Sequence, residues 1–199
     1  MAFVVLSLGS NCGDRLSNIQ LASRMLPIMG KVYSCIYESK ALLPYGAPIS
    51  WDIPFLNMAI AGYTNLLPCM FLHHVKKIEN FLGKRNKKFW SPRIIDIDII
   101  LWDNININTD VLQIPHKYMH CRDFVLVPIC DICPRFVHHT FNMSMQAMLL
   151  NVTQINLVQR LNIIQVNLVQ RFNFTKFILH SLLTKTNLLS RYMTYRDEY

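Results

Sequence analysis

Acidic residues are scarce in this chain, and long apolar runs and leader-like features are missing. Of 199 residues only 12 are Asp or Glu, against 20 Lys or Arg. Hydrophobic residues nevertheless supply 52% of the sequence and charged ones only 16%, which excludes a disordered, self-repelling chain and predicts a packed core. No apolar run approaches the ~20 residues needed to cross a bilayer, so no membrane span is expected. The opening MAFVVLSLGS has no basic segment before its brief apolar run and reads as a first strand, not a signal peptide. Without a leader, six scattered cysteines read as reduced thiols, and a cytoplasmic location is the expectation. Neither a P-loop nor a dinucleotide fingerprint occurs. Cys130 and Cys133 have no second, properly spaced pair and read as packing cysteines. His116 and His120 lack an acidic partner and follow Pro115, which speaks against zinc.

What is present is concentrated in one stretch, FWSPRIIDIDIILW, residues 89–102. Its β-branched run, bounded by Pro92 and by Asp103-Asn104, predicts a strand. Side chains alternate along a strand, so Ile95, Ile97, Ile99 and Leu101 are expected on one face, with Asp96 and Asp98 on the other. Residues two apart on a strand lie roughly 6.5 Å apart. Two carboxylates that close repel unless a cation joins them. Just upstream, seven lysines and arginines fall between Lys76 and Arg93. Both signs of charge thus converge on one place, which favours a metal–polyphosphate site over a duplex-binding surface, where carboxylates would repel the ligand.

Strands are expected over residues 3–8, 31–39, 55–63 and 94–100. A helix capped by Asp14 runs to about Leu26 and is closed by residues 27–30, and a second covers 66–82, with Pro68 in its first turn and Gly83 ending it. A Pro-rich loop, 40–54, has a length more often functional than idle. The order strand, helix, strand, strand, helix, strand predicts an α+β fold, a ferredoxin-like antiparallel sheet with its helices on one face and the aspartates on the other. Beyond it follow a polar turn over 104–109, a short edge strand over 111–114, and helices over 123–130 and 143–150. Residues 151–199 change character. INLVQRLN (155–162) recurs as VNLVQRFN (166–173), and the 11-residue period predicts a continuous helix. Lys176, His180 and Lys185 interrupt the later apolar stretch, which argues against a membrane span and leaves an interfacial or partner-binding helix open. The extension reads as an appendage to a domain of residues 1–150, without a part in catalysis.

LSLGSN near the start, FLN at 55–57, WSPRIIDIDIIL, and IPHKYMHCRDFVLVPICDICP together resemble the 6-hydroxymethyl-7,8-dihydropterin pyrophosphokinase family of folate biosynthesis. The likeness covers about residues 3–150, and both long motifs stand in the family's order and spacing. It implies an ATP-dependent diphosphotransferase that moves pyrophosphate from ATP to the pterin hydroxymethyl group and releases AMP. Two Mg²⁺ ions are implied at Asp96 and Asp98, with Arg93 and a lid residue, Lys84 or Arg85, as further catalytic groups. Glu79, Lys84, Arg85, Ile99, His116 and Arg122 match ATP-binding positions. Ser39, Leu42, Phe55, Asn57, Trp90 and Phe124 match pterin-binding positions, with Phe124 stacking and Trp90 closing from the lid. Phe89 and Ser91 depart from the family's usual lid residues. The resemblance also implies dihydropteroate synthase as a functional partner, which the 151–199 extension is far too short to be. Two other readings stand beside it: a ferredoxin-like RNA-binding module, and a decayed, inactive pyrophosphokinase. The first needs stacking aromatics on the central strands, where this chain has aspartates.

Overall fold

The fold comes from a computed structural model that describes residues 1–83, 90–152 and the backbone of 159–160. These residues fall within one compact unit, Met1–Ile163. Lys84, Arg85 and Phe89 of the expected lid, and all of the extension past Val152 except that one dipeptide, lie outside the described residues.

Strand β1 (Ala2–Ser10) leads through a turn to helix α1 (Arg15–Met25), whose first turn is capped by Asp14 accepting from the Ser17 N–H at 3.1 Å. Then come β2 (Met29–Tyr33), β3 (Tyr37–Ser39), β4 (Phe55–Thr64), α2 (Pro68–Phe81) and β5 (Asp96–Trp102). The main path across the sheet is β3-β4-β1-β5, with β2 also paired to β4, and every one of these pairs is antiparallel. That is the ferredoxin-like order expected. Gly83 closes α2 with φ of 100°, a conformation glycine adopts without penalty.

Several local expectations are corrected. The strand expected over 31–39 is two strands. The Ser34 hydroxyl takes the Ala59 N–H at 2.9 Å, and Asp131 takes the Cys35 N–H at 2.9 Å, so side chains replace the ladder there. Met29 and Gly30 belong to β2 instead of closing α1, which already ends where Leu26 turns extended before Pro27. The 104–109 turn contains β6 (Ile107–Asn108), and the edge strand beyond it shrinks to β7 (Gln113–Ile114). The two pair with each other, apart from the main sheet. Helix α3 (Asp123–Ile132) is followed by a hairpin of β8 (Val137–His138) and β9 (Met143–Ser144). Helix α4 (Met145–Leu150) therefore starts two residues later than expected, capped by Ser144. In the extension, Gln159–Arg160 form a strand, β10, against Tyr37 and Glu38 of β3, instead of a turn of helix. Open backbone at a sheet edge outweighs a two-copy helical period.

Phe71 of α2 packs edge-to-face on Trp102 at 5.3 Å, on the sheet face that α1 and α2 share. On the other face, Val5, Ala59, Ala61, Ile100 and Leu101 meet Met119, Val125, Leu126, Ile129, Met145 and Met148, so α3 and α4 cover that end of the sheet. Leu101 was expected beside Ile99. However, Val5 pairs with Leu101 and Leu6 with Ile99, which leaves Ile100 as an extra residue. This bulge reverses the alternation and turns Leu101 toward α3. The uncovered end of the same face carries Ser7, Gly9, Asp96 and Asp98.

Candidate functional site

The open end of the sheet is the floor of a cleft of about 740 Å³, counting its mouth. β1 contributes Ser7 and Gly9, β3 Ser39, β4 Phe55 and Asn57, and β5 Asp96 and Asp98. The loop after β3 supplies Lys40, Leu42 and Leu43, while Trp90, Arg93, Arg122, Phe124 and Val125 close the sides. Every residue matched to the pterin, namely Ser39, Leu42, Phe55, Asn57, Trp90 and Phe124, lines this one cleft. So do the two aspartates and both arginines, Arg93 and Arg122. Ser7, Gly9, Lys40, Leu43 and Val125 also line it; Ser7, Gly9 and Val125 fall within the resembling motifs without a role assigned to them, and Lys40 and Leu43 lie in the Pro-rich loop.

Gly9 leaves the cleft floor bare, although its neighbours would tolerate a methyl group at ordinary contact distance. A Cβ there would sit 3.4 Å from the Phe55 ring and 3.6 Å from Asn57 Oδ1, on the cleft floor. Asn57 is buried and donates to Ser39 Oγ at 2.9 Å, so the β3–β4 pair presents both polar groups together. Trp90 is 42% exposed and has φ of 71°, a left-handed backbone that a bulky side chain rarely adopts.

Asp96 and Asp98 share a face of β5, as the alternation requires, and Ser7 stands opposite Asp98 in the register. Arg93 donates to Asp96 at 2.6 Å. The Asp98 carboxyl is pushed up to about 7, chiefly because burial penalises its charge and secondly because Asp96 repels it; Arg122 and Lys76 work the other way. Two acidic groups whose ionisations oppose one another make a ready site for a hard cation, and the arginines beside them suit an anionic phosphate. Among the described residues no group of three or more His, Cys, Asp or Glu is arranged around a metal, so a closed structural centre is not found among them. A pair of carboxylates on an open face does fit magnesium, which keeps waters and takes its remaining ligands from phosphate.

Of the residues matched to ATP, Glu79, Ile99 and His116 lie along the outer edge of β5, Arg122 reaches the cleft, and Lys84 and Arg85 are outside the described residues. Glu79 is buried beneath the strand, accepting from the Ile97 N–H at 3.0 Å and pairing with Lys76 at 2.8 Å. It fixes α2 to the strand and does not line the cleft. The Ile99 side chain is buried, and the Ile100 carbonyl accepts from the His116 N–H at 3.0 Å. The His116 ring is held neutral, its pKa pushed down to about 4 by burial and then by the Arg122 charge. Its Nδ1 accepts from the Tyr118 N–H at 3.3 Å, which leaves Nε2 to carry the proton as a donor. Arg122 spans the two regions, with its guanidinium carbon 5.2 Å from the Tyr118 ring centre and 5.8 Å from that of Phe124. Beyond Lys76 an apolar groove lies between α2 and the β6–β7 hairpin, lined by Leu67, Leu72, Val111 and Leu112 among others.

Asn11 gave no sequence signal of its own, yet the site leans on it. It is buried, accepts from the Arg93 N–H at 2.8 Å and donates to the Ile53 carbonyl at 3.2 Å. One side chain therefore ties the arginine segment to the end of the 40–54 loop. Asn11→Ala is expected to cost about 1–3 kcal/mol, because it strands buried backbone groups. Urea unfolding checks this, and a loss below about 0.5 kcal/mol would remove the role. Cys130 and Cys133 pack against the α3–α4 core and stay protonated thiols, pushed up by burial to about 11 and about 12. That agrees with the packing role expected for them.

The family model described as 7,8-dihydro-6-hydroxymethylpterin-pyrophosphokinase matches residues 5–134. The chain is 39% identical over 140 residues to the 2-amino-4-hydroxy-6-hydroxymethyldihydropteridine pyrophosphokinase of Aquifex aeolicus, covering 69% of this chain and 84% of that protein. It is 41% identical over 141 residues to the folate synthesis bifunctional protein of Chlamydia caviae, again over 69% of this chain but only 32% of the relative. The chain thus spans about a third of that bifunctional protein. Among solved structures, wild-type HPPK-DHPS of Plasmodium falciparum with pteroate has a similar fold, with a TM-score of 0.56 at 16% identity over 74% of this chain and 42% of that one. At that identity the likeness concerns the fold alone.

Proposed function

The chain belongs to the 7,8-dihydro-6-hydroxymethylpterin-pyrophosphokinase family, and from that premise we propose that it transfers pyrophosphate from ATP to 6-hydroxymethyl-7,8-dihydropterin, releasing AMP, within a domain of residues 1–150. The observation that carries this reading is the convergence of all six pterin-matched residues and both aspartates on one cleft. The flat ring enters between the aromatics Phe55, Trp90 and Phe124, and Asn57 and Ser39 meet its amide edge. Gly9 leaves room for the ring on the sheet surface. The nucleoside lies along the β5 edge, in the apolar groove beside Leu72 and Val111, with its phosphates reaching His116 and Arg122. That arrangement directs the triphosphate across Asp96 and Asp98 toward the pterin hydroxymethyl group.

In the reaction the hydroxymethyl oxygen forms a bond to the β-phosphorus, the bond from that phosphorus to the α,β-bridging oxygen breaks, and the bridging oxygen leaves with AMP. The hydroxymethyl proton is lost to water or buffer. Little covalent chemistry falls to the protein, so alignment and charge compensation carry the rate. Arg93 and Arg122 compensate charge on the transferring group, joined by Lys84 or Arg85 from the segment outside the described residues. Neutral His116 donates from Nε2 to a phosphate oxygen. Asp96 and Asp98 hold two Mg²⁺ ions; when bound, magnesium neutralises the triphosphate and fixes its oxygens in place. No helix among the described residues is long and apolar enough to cross a membrane. A cytoplasmic setting, with dihydropteroate synthase taking the product, belongs to the same reading; the 41% identical folate synthesis bifunctional protein supports a coupling to a further step of folate synthesis.

Nucleotide-product analysis tests the proposal. With ATP, Mg²⁺ and the reduced hydroxymethyl pterin, AMP is expected to accumulate in step with pterin consumption. ADP as the sole product, or AMP formation indifferent to the pterin, would overturn it.

A further inference from the structure

The cleft's polar wall rests on a strand of only three residues. β3 pairs on one side with β4, placing Tyr37, Glu38 and Ser39 opposite Asn57, Leu56 and Phe55. Alternation along β3 sends its side chains to both faces of the sheet. Tyr37 reaches across to Asp131 of α3 at 2.9 Å, Ser39 faces the cleft and bonds Asn57, and Glu38 points the other way to Arg15 of α1 at 2.8 Å. Immediately after Ser39 the chain becomes the loop that contributes Lys40, Leu42 and Leu43 to the cleft. A three-residue strand with one neighbour has few ladder bonds, and local opening at such an edge costs little.

The other edge of β3 is occupied. Gln159 stands opposite Glu38 and Arg160 opposite Tyr37, antiparallel, so β10 makes β3 an internal strand. These two residues come from the first copy of the repeated segment, INLVQRLN. Expected as a bystander, the extension is in register with the strand that carries Ser39. We propose that β10 is a positioning element for the pterin half of the cleft: by completing the ladder on β3 it holds Ser39 and the first residues of the following loop in their binding arrangement. The proposal rests on the pterin reading above for the identity of the ligand, but the hold of β10 on β3 does not depend on it. The ATP half of the site lies across the sheet on the outer edge of β5, with β4 and β1 between, and is not part of this ladder.

The pairing is made by backbone, which sets the test. Gln159→Pro with Arg160→Pro in the full chain removes both N–H groups and blocks the ladder. Gln159→Thr with Arg160→Thr keeps both N–H groups and favours a strand. The proline variant is expected to raise the KM for the pterin about tenfold, the scale set by loss of one or two backbone bonds, while the KM for ATP moves less than about twofold. Amide hydrogen exchange should lose protection at residues 37–39 in the proline variant only, and the threonine variant should match the parent in all three measurements. An unchanged pterin KM, or equal rises in both KM values, overturns the positioning role. Unchanged protection at 37–39 overturns the strand's hold itself. Should the parent make no pterin-dependent AMP, the functional reading fails, while the exchange measurement still decides whether β10 secures β3.

Discussion

Asp98→Ala, and separately Asp96→Ala, is expected to slow pterin-dependent AMP formation by about 10²–10³-fold, the scale on which charge-stabilising groups act in the transition state. The two substitutions should differ in what they do to the fold. Asp96 is joined to Arg93 at 2.6 Å with both side chains about a quarter exposed, so its removal costs a partly exposed ion pair, worth about 1 kcal/mol at most. Asp98 is the reverse case. Its folded pKa, about 7, stands above its ordinary 3.8, so the folded state loses stability relative to the unfolded as pH rises from about 4 to 7, and that loss is complete above 7. Asp98→Asn removes the penalty while keeping the shape. At pH 8 and without metal, that variant should therefore unfold at the parent's denaturant midpoint or above it, although it has lost activity. A group kept at a cost to the fold and needed for turnover has the signature of a functional site. Steady-state rates and urea midpoints check both halves. Activity within tenfold of the parent in either alanine variant would remove the carboxylate pair from the mechanism.

How far the sequence disclosed this arrangement depends on how local each cause is. Strand β5 was legible because the β-branched run between Pro92 and Asp103 carries its own propensity, and the shared face of Asp96 and Asp98 follows from backbone alternation alone. The end of α2 was legible from Gly83, whose positive φ is a local requirement. The displacement of Leu101 was not, because the bulge at Ile100 exists only in relation to β1, and no Gly or Pro marks it. The break between β2 and β3 depends on the Ser34 hydroxyl finding Ala59, 25 residues away. Asn11 meets partners 42 and 82 residues distant. Gly9 and Lys40 line the cleft because of what folds around them. That Ser39, Asn57 and Phe124 would share one cleft was signalled only by motif resemblance, since no local rule brings them together. Strand β10 was misread as helix for the same reason: its partner, β3, is a sheet edge that lies more than a hundred residues earlier in the chain.

Protons and magnesium should compete at the carboxylate pair, and that competition should shape the acid limb of the rate profile. With the Asp98 carboxyl pushed up to about 7, a proton must leave before a metal ion can be held there between both carboxylates. The apparent affinity for Mg²⁺ is therefore expected to fall by up to about tenfold for each pH unit below 7, and to level off above 8. His116 does not enter this window, because its ring stays neutral until about pH 4. ATP itself takes up a proton near pH 6, which also weakens magnesium binding, so the parent's profile alone does not isolate the protein's share. Asp98→Asn supplies the control, since it keeps the contribution of ATP and deletes that of the carboxyl. Measured by calorimetric titration of Mg²⁺ into the ATP-bound protein at pH 6, 7 and 8, the parent should show a steeper pH dependence of affinity than the variant, and in buffers of different ionisation enthalpy it should release about one extra proton per binding event at pH 6 and almost none at pH 8. Parallel slopes for parent and variant would mean that Asp98 does not exchange a proton for the metal. If the slopes do diverge, raising Mg²⁺ must by mass action carry the acid limb to lower pH. A shift of that kind also separates direct displacement at the carboxylates from acid damage to the fold, which excess metal at another site would not repair.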